Sequence, residues 1–178
     1  MALRIDADVA LLLAFLYPPE FPGGMRDPAE LGRWFEGRGV VPPGTTVDSA
    51  DLLRARHLRA ALQSLFLANN GTAVDPRTAP ALEAVTRAAP LTLTLDTDGI
   101  PSLVAEGAGV AAVLSRLTAV VYGAVLKGEF ARFKGCRHCG MAYFDTSKNR
   151  SRVWCEMATC GSQSKAKAFR ARRAAAQE

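Results

Sequence analysis

The 178-residue chain is 49% hydrophobic and 22% charged, a balance that excludes a disordered chain and leaves enough apolar material for a core without covalent staples. Its net charge of +5 is unevenly spread: residues 1–131 hold 11 Lys+Arg against 14 Asp+Glu, whereas residues 132–178 hold 11 against 3. The basicity belongs to the C-terminal end, which points to a polyanionic partner, either nucleic acid or an acidic surface.

The first apolar run, Val9–Tyr17, is too short to span a bilayer. Asp6 and Asp8 beside it, with no small-x-small site after it, argue against a signal peptide. It reads as a buried helix over 6–17 stopped by Pro18-Pro19, and the chain reads as cytoplasmic with no membrane partner. Asp27-Pro28 signals an N-cap and first turn for a second helix, with Leu31, Trp34 and Phe35 on one face and an end near Gly37–Gly39. Asp48 or Ser49 caps a longer helix whose Leu52, Leu53, Leu58, Leu62, Leu65 and Phe66 make a broad apolar face, closed by Asn69-Asn70-Gly71. Asp75-Pro76 repeats the cap-proline signature and opens a helix to about Ala89.

Leu91, Leu93 and Leu95 alternate with threonines, and Asp98-Gly99 turns the chain into a second strand, so a hairpin with a loop slightly longer than two residues is predicted near 91–105. Gly109–Gly128 reads as a buried helix. Chemistry is sparse throughout this part. His57, flanked by Arg54, Arg56 and Arg59, has no second catalytic group at a fixed offset and reads as a surface or packing residue. The three arginines read as a solvated helix face in preference to an anion pocket. No Gly-rich phosphate loop, nucleophile elbow or HExxH motif is present, so the chain is not expected to be an enzyme.

All four cysteines fall in one stretch: Cys136-x2-Cys139, fifteen residues, then Cys155-x4-Cys160. A C-x-x-C pair sets two thiolates on one tight turn, and Gly140 lets the backbone curl so that amides face the sulfurs. The second pair completes the four soft ligands of a closed structural Zn2+ site, with Cys136, Cys139, Cys155 and Cys160 as the ligands. A thioredoxin-like redox motif lacks its βαβ setting, the spacing does not match common ferredoxin patterns, and disulfides need an oxidising compartment. Lys134 and Arg137 are expected to lower the thiol pKa values and offset the thiolate charge. His138 inside the knuckle reads as a bystander. Phe144, Trp154 and Phe169 are expected to pack around the metal rather than stack on bases. After Cys160, Ser162 or Ser164 is a plausible N-cap for a helix through KAKAFRARRAAA.

The pattern C-x2-C-G-x3-F-D-x-S-x-N-x4-W-C-x-M-x2-C-G, followed by a Lys/Arg helix, resembles the CGNR zinc finger. Phe144, Asp145, Ser147, Asn149, Arg152, Trp154, Cys155, Met157, Cys160 and Gly161 all fall in place. Residues 1–131 are similar in layout to the helical ABATE domain that precedes that finger, through RIDADVALLLAFL, DPAELGRWF and the hairpin. One departure stands out: Ser162-Gln163 occupies the positions where the family writes Asn-Arg, and Gln163 cannot supply an arginine's charge. The resemblance implies a bacterial, stress-linked transcription regulator with a zinc-organised DNA-binding end.

The expected architecture is mainly α with a small β-hairpin (α+β) over 1–131, then a four-cysteine zinc module and basic helix over 132–178. The expected function is zinc-dependent binding of double-stranded DNA for transcription regulation. Phosphate and base contacts are expected from Lys148, Asn149, Arg150, Arg152, Gln163, Lys165, Lys167, Arg170, Arg172 and Arg173. The N-terminal part is expected to sense a small-molecule effector or to form a homodimer. The alternative is a protein-interaction module whose basic zinc ribbon docks an acidic partner.

Overall fold

The computed structural model of the chain describes residues 7–17 and 25–175. Helix α1 (Ala7–Leu16) turns Val9, Leu12, Phe15 and Leu16 into the core; the expected Pro18-Pro19 stop lies outside the described residues. Helix α2 (Pro28–Glu36) starts as predicted, with the Asp27 carboxylate accepting the Glu30 amide at 2.7 Å and Pro28 in the first turn. Its Leu31, Trp34 and Phe35 are buried, and Phe15 meets the Trp34 and Phe35 rings at centroid distances of 6.0 and 6.2 Å.

Helix α3 (Ser49–Ala68) opens on a reciprocal capping box between Asp48 and Asp51. It buries Leu52, Leu58, Leu62 and Phe66, but Leu53 is exposed and Leu65 only half-buried, so the apolar face is narrower than expected. Arg54 pairs with Asp51, and Arg56 donates to the carbonyls of Met25 and Arg26, so neither arginine forms an anion pocket. Helix α4 (Thr78–Ala88) starts later than its proline signature suggests. The Asp75 carboxylate is taken by the amide and guanidinium of Arg77, two residues on, instead of capping α4.

Strands β1 (Leu91–Leu95) and β2 (Pro101–Ala105) form the predicted hairpin, with Leu91 opposite Ala105 and Leu95 opposite Pro101. Its loop, residues 96–100, is held by Asp96 Oδ1 accepting the amides of Asp98 and Ile100, and Gly99 takes φ +75°. Leu93 and Leu95 remain two-thirds exposed, so the alternation marks a strand without marking a fully buried face.

Helix α5 (Gly109–Leu126) is long and apolar enough to cross a membrane by length and composition, yet Val110, Val113, Leu114, Leu117, Val121 and Ala124 are buried in the shared core. The expectation of burial holds for that side only; Tyr122, Val125 and Leu126 are exposed.

The C-terminal quarter joins this core directly. Strands β3 (Phe133–Gly135) and β4 (Ala142–Phe144) pair with Phe133 opposite Phe144. The Phe133 ring sits 5.2 Å from Phe66 of α3 and 5.0 Å from Phe144. Phe144 therefore packs in the main core, not around the cysteines as expected. A π-helical turn (Met157–Gly161) then runs into α6 (Ser162–Ala175), which buries none of its residues.

Candidate metal centre and basic helix

The first cysteine pair brackets a knuckle at the tip of the β3–β4 hairpin. Gly140 takes φ +76° and its amide donates to the Cys136 carbonyl, while the Cys136 amide donates to Met141 across the turn. The second pair lies where the returning loop enters the π turn. There Gly161 has no room for a side chain, since a Cβ would lie 2.5 Å from Met157 Sδ and 3.3 Å from the Trp154 ring. Trp154 is packed beside Cys136 and Cys160, as expected, whereas Phe169 is exposed on α6 beside Arg173.

The four sulfurs all lie within 4.8 Å of one another, with Cys139 to Cys155 at 3.7 Å and Cys155 to Cys160 at 3.6 Å. A tetrahedral thiolate site with metal–sulfur bonds of about 2.3 Å has edges of about 3.8 Å, so this donor set fits one small ion. All four cysteines are free thiols, not disulfides. Burial pushes the Cys136 thiol up, but amides of Cys139, Cys155 and His138 turned toward its sulfur outweigh that and bring it down to about 6. Burial and the neighbouring sulfurs push Cys139 and Cys155 up. Four thiolates this close ionise together only around a shared cation.

The basic residues expected to offset this charge are committed elsewhere. Lys134 is 5% exposed and its ammonium meets the fully buried Asp145 carboxylate at 2.8 Å, with the Arg150 and Arg152 carbonyls as further acceptors. Asp145 also accepts the Ser147 hydroxyl (2.6 Å) and amide (2.9 Å) and the Arg152 amide (3.0 Å). Burial alone would push its carboxyl up, but the Lys134 and Ser147 donors hold it at about 2. Arg137 Nε donates to the Asn70 carbonyl at 2.6 Å. The cage is thus stabilised by amides and by a buried ion pair that ties down the loop between the cysteine pairs. Asp145 falls within the family pattern, but nothing in the sequence singles out Lys134 as its partner.

Neither serine proposed as an N-cap serves as one. Ser162 Oγ donates back to the Met157 carbonyl, and Ser164 Oγ is 3.2 Å from His138 Nδ1, so the bystander histidine links the knuckle to α6. Lys165, Lys167, Arg170, Arg172 and Arg173 are exposed, and none has an acidic partner among the described residues. Gln163 is exposed in the first turn of the same helix. Lys148 and Asn149 are exposed in the loop between the cysteine pairs; Arg150 beside them sits at φ +52° with its guanidinium on the Gly128 carbonyl at 2.9 Å. Arg152 turns inward, donating to the Cys155 carbonyl with its guanidinium over the Tyr143 ring. The structure therefore groups five cations and Gln163 on α6, places Lys148, Asn149 and Arg150 on the loop, and gives Arg152 an inward role.

Comparison with known families adds two matches. A family model named ABATE and described as "Putative stress-induced transcription regulator" covers residues 18–126, and the CGNR zinc finger model covers residues 132–173. Neither is an enzyme family. No curated protein sequence matches the chain.

Proposed function

The chain belongs to the ABATE family, described as "Putative stress-induced transcription regulator", with a CGNR zinc finger after that domain, and on that premise we propose that it is a zinc-dependent DNA-binding regulator. Zinc suits four thiolates at tetrahedral spacing, and as a redox-inert ion it supplies folding energy rather than chemistry. The observation that carries the DNA reading is α6: a 14-residue helix, about 21 Å long, that begins two residues after Cys160 and carries five cations without acidic partners among the described residues. A helix of this width fits the major groove, where Gln163 meets adenine edges as a donor–acceptor pair and the cations meet phosphates. Lys148, Asn149 and Arg150 offer a second contact from the loop, while Arg152 braces it from inside.

The test is a salt series on duplex binding. Affinity is expected to fall linearly on a log–log scale, and Arg170→Ala with Arg172→Ala to shallow the slope by about 0.9 for each phosphate that is no longer neutralised. An unchanged slope would sink the placement of α6 on the duplex. Binding to an acidic protein that survives nuclease and high salt would favour the interaction-module alternative.

The sensor role rests on a cleft of about 320 Å³ between α3 and α4, lined mostly by small residues (Ala60, Ala61, Ala81, Ala84), with His57, Thr78 and the Asp75–Arg77 ion pair also in its wall. Thr78 is 4% exposed and its hydroxyl has no hydrogen-bond partner among the described residues, a cost that a bound polar group would relieve. The cleft suits a small, mostly apolar molecule with one hydrogen-bonding head. Thr78→Val is expected to leave the melting temperature unchanged or raised. It should also abolish the chemical-shift changes that phenol or benzoate induces along α3 and α4. A drop in melting temperature with those shifts retained contradicts the assignment.

A further inference from the structure

The metal centre is completed from outside the finger. Asn70, just beyond the end of α3, is 5% exposed and belongs to the helical part of the chain. Its side-chain amide donates to the Gly135 carbonyl at 2.8 Å and to the Val153 carbonyl at 2.9 Å. Gly135 immediately precedes Cys136, and Val153 lies two residues before Cys155, so one planar amide holds the backbone of both cysteine pairs. Arg137, next to Cys136, closes the clamp with its guanidinium on the Asn70 carbonyl and its amide on Val153 at 3.1 Å. The approach is close: a Cβ on Gly135 would come within 2.6 Å of Leu67, one turn back on α3. Gln63, further up the same helix, donates to the carbonyl of Gly140 behind Cys139 at 3.3 Å.

Only a carboxamide puts two N–H donors on one short, flat group; aspartate at this position would face both carbonyls with acceptors. The neighbouring Asn69 makes a contrasting pair of bonds, to the carbonyls of Phe130 and Phe133, at the far end of β3 from Cys136 and with no bond to the segment before Cys155. We infer that Asn70 is a positioning residue of the metal centre, through which the helical part of the chain sets the affinity of the four-cysteine cage. Groups that orient ligands from behind typically govern metal affinity by about 10–100-fold. The inference rests on the zinc reading above.

The test is competition for zinc against a chromophoric chelator, using the full-length chain and its Asn70→Ala, Asn70→Asp and Asn69→Ala variants. Asn70→Ala is expected to weaken zinc binding by about 10–100-fold. Asn70→Asp keeps the shape, so it reports even if Asn70→Ala fails to fold, and the same loss is expected of it. Asn69→Ala is expected to lower the melting temperature while leaving zinc affinity within about twofold. In the cobalt-loaded chain, Asn70→Asp should alter the ligand-field bands that report tetrahedral thiolate geometry, and Asn69→Ala should not. Equal zinc affinity in wild type and Asn70→Asp would overturn the inference, as would an equal loss in Asn69→Ala, which marks general destabilisation. Failure of the zinc reading itself looks different: the wild-type chain then takes up no zinc at all.

Discussion

Cys160→Ser is expected to remove bound metal from the chain and to unfold its C-terminal end while sparing the helical core. Cys160 is buried, its sulfur stands 3.6 Å from Cys155 Sγ, and it is the last of the four clustered cysteines before α6. A serine hydroxyl is no substitute for a soft thiolate, and three remaining thiolates leave the site open. Apolar packing in this region is thin. Its strands are three residues each, α6 buries nothing, and among the described residues the apolar cluster around the cysteines is Cys136, Tyr143 and Cys160 with Met141, Trp154 and Cys155 packed on it. In small zinc domains the binding energy is the folding energy, about 10–16 kcal/mol in finger peptides, so its removal outweighs that of any single packing interaction here. The loss should stop at a definite boundary, because Phe133 is anchored on Phe66 and Phe144 on Phe133 rather than on the cage. Metal analysis should fall from one ion per chain to near none. Amide exchange should become fast over residues 146–175 while α3 stays protected. Retained protection in α6 would show that the helix does not depend on the cage.

Asp145→Ala is expected to destabilise the metal-loaded chain by about 3–5 kcal/mol, because it strands the buried Lys134 ammonium without its counter-charge. The change also removes the acceptor for three other donors from Ser147 and Arg152, which shape the loop carrying Lys148 and Asn149. Replacing both partners, with Lys134→Met and Asp145→Leu, should cost less than Asp145→Ala alone, since neither then leaves a buried charge. Urea unfolding at neutral pH reads the difference, and an additive double variant would contradict the coupling. The sign of the pH effect follows from the depressed Asp145 carboxyl. Its contribution is fully present above the ordinary carboxylate range near pH 4 and is lost as pH falls toward 2.

Local signals in the sequence carry information only as far as local physics does. The Asp27-Pro28 cap, the cap at Asp48 and the 91–105 hairpin are each decided by residues a few positions apart, and each forms where the pattern puts it. The four cysteines likewise announce a cage, because metal geometry demands their spacing. Asn70 is legible only as a helix terminator, since its partners lie 65 and 83 residues further on and no periodicity joins them. Lys134 reads in the sequence as a cation offsetting the thiolates; its burial against Asp145 depends on a strand pairing of three residues, too short to show an alternation. Phe144 and Phe169 illustrate the same limit. Nearness to cysteines in sequence suggests packing around the metal, but the first is claimed by Phe133 and the second by no core at all.

The most direct test of zinc-dependent DNA recognition pairs metal content with binding of genomic fragments in a single preparation, before and after chelation. The account predicts about one zinc per chain, enrichment of discrete fragments over charge-matched basic controls, and loss of that enrichment when the metal is stripped and its return when zinc is restored. Stoichiometric zinc with no enrichment over those controls would contradict it.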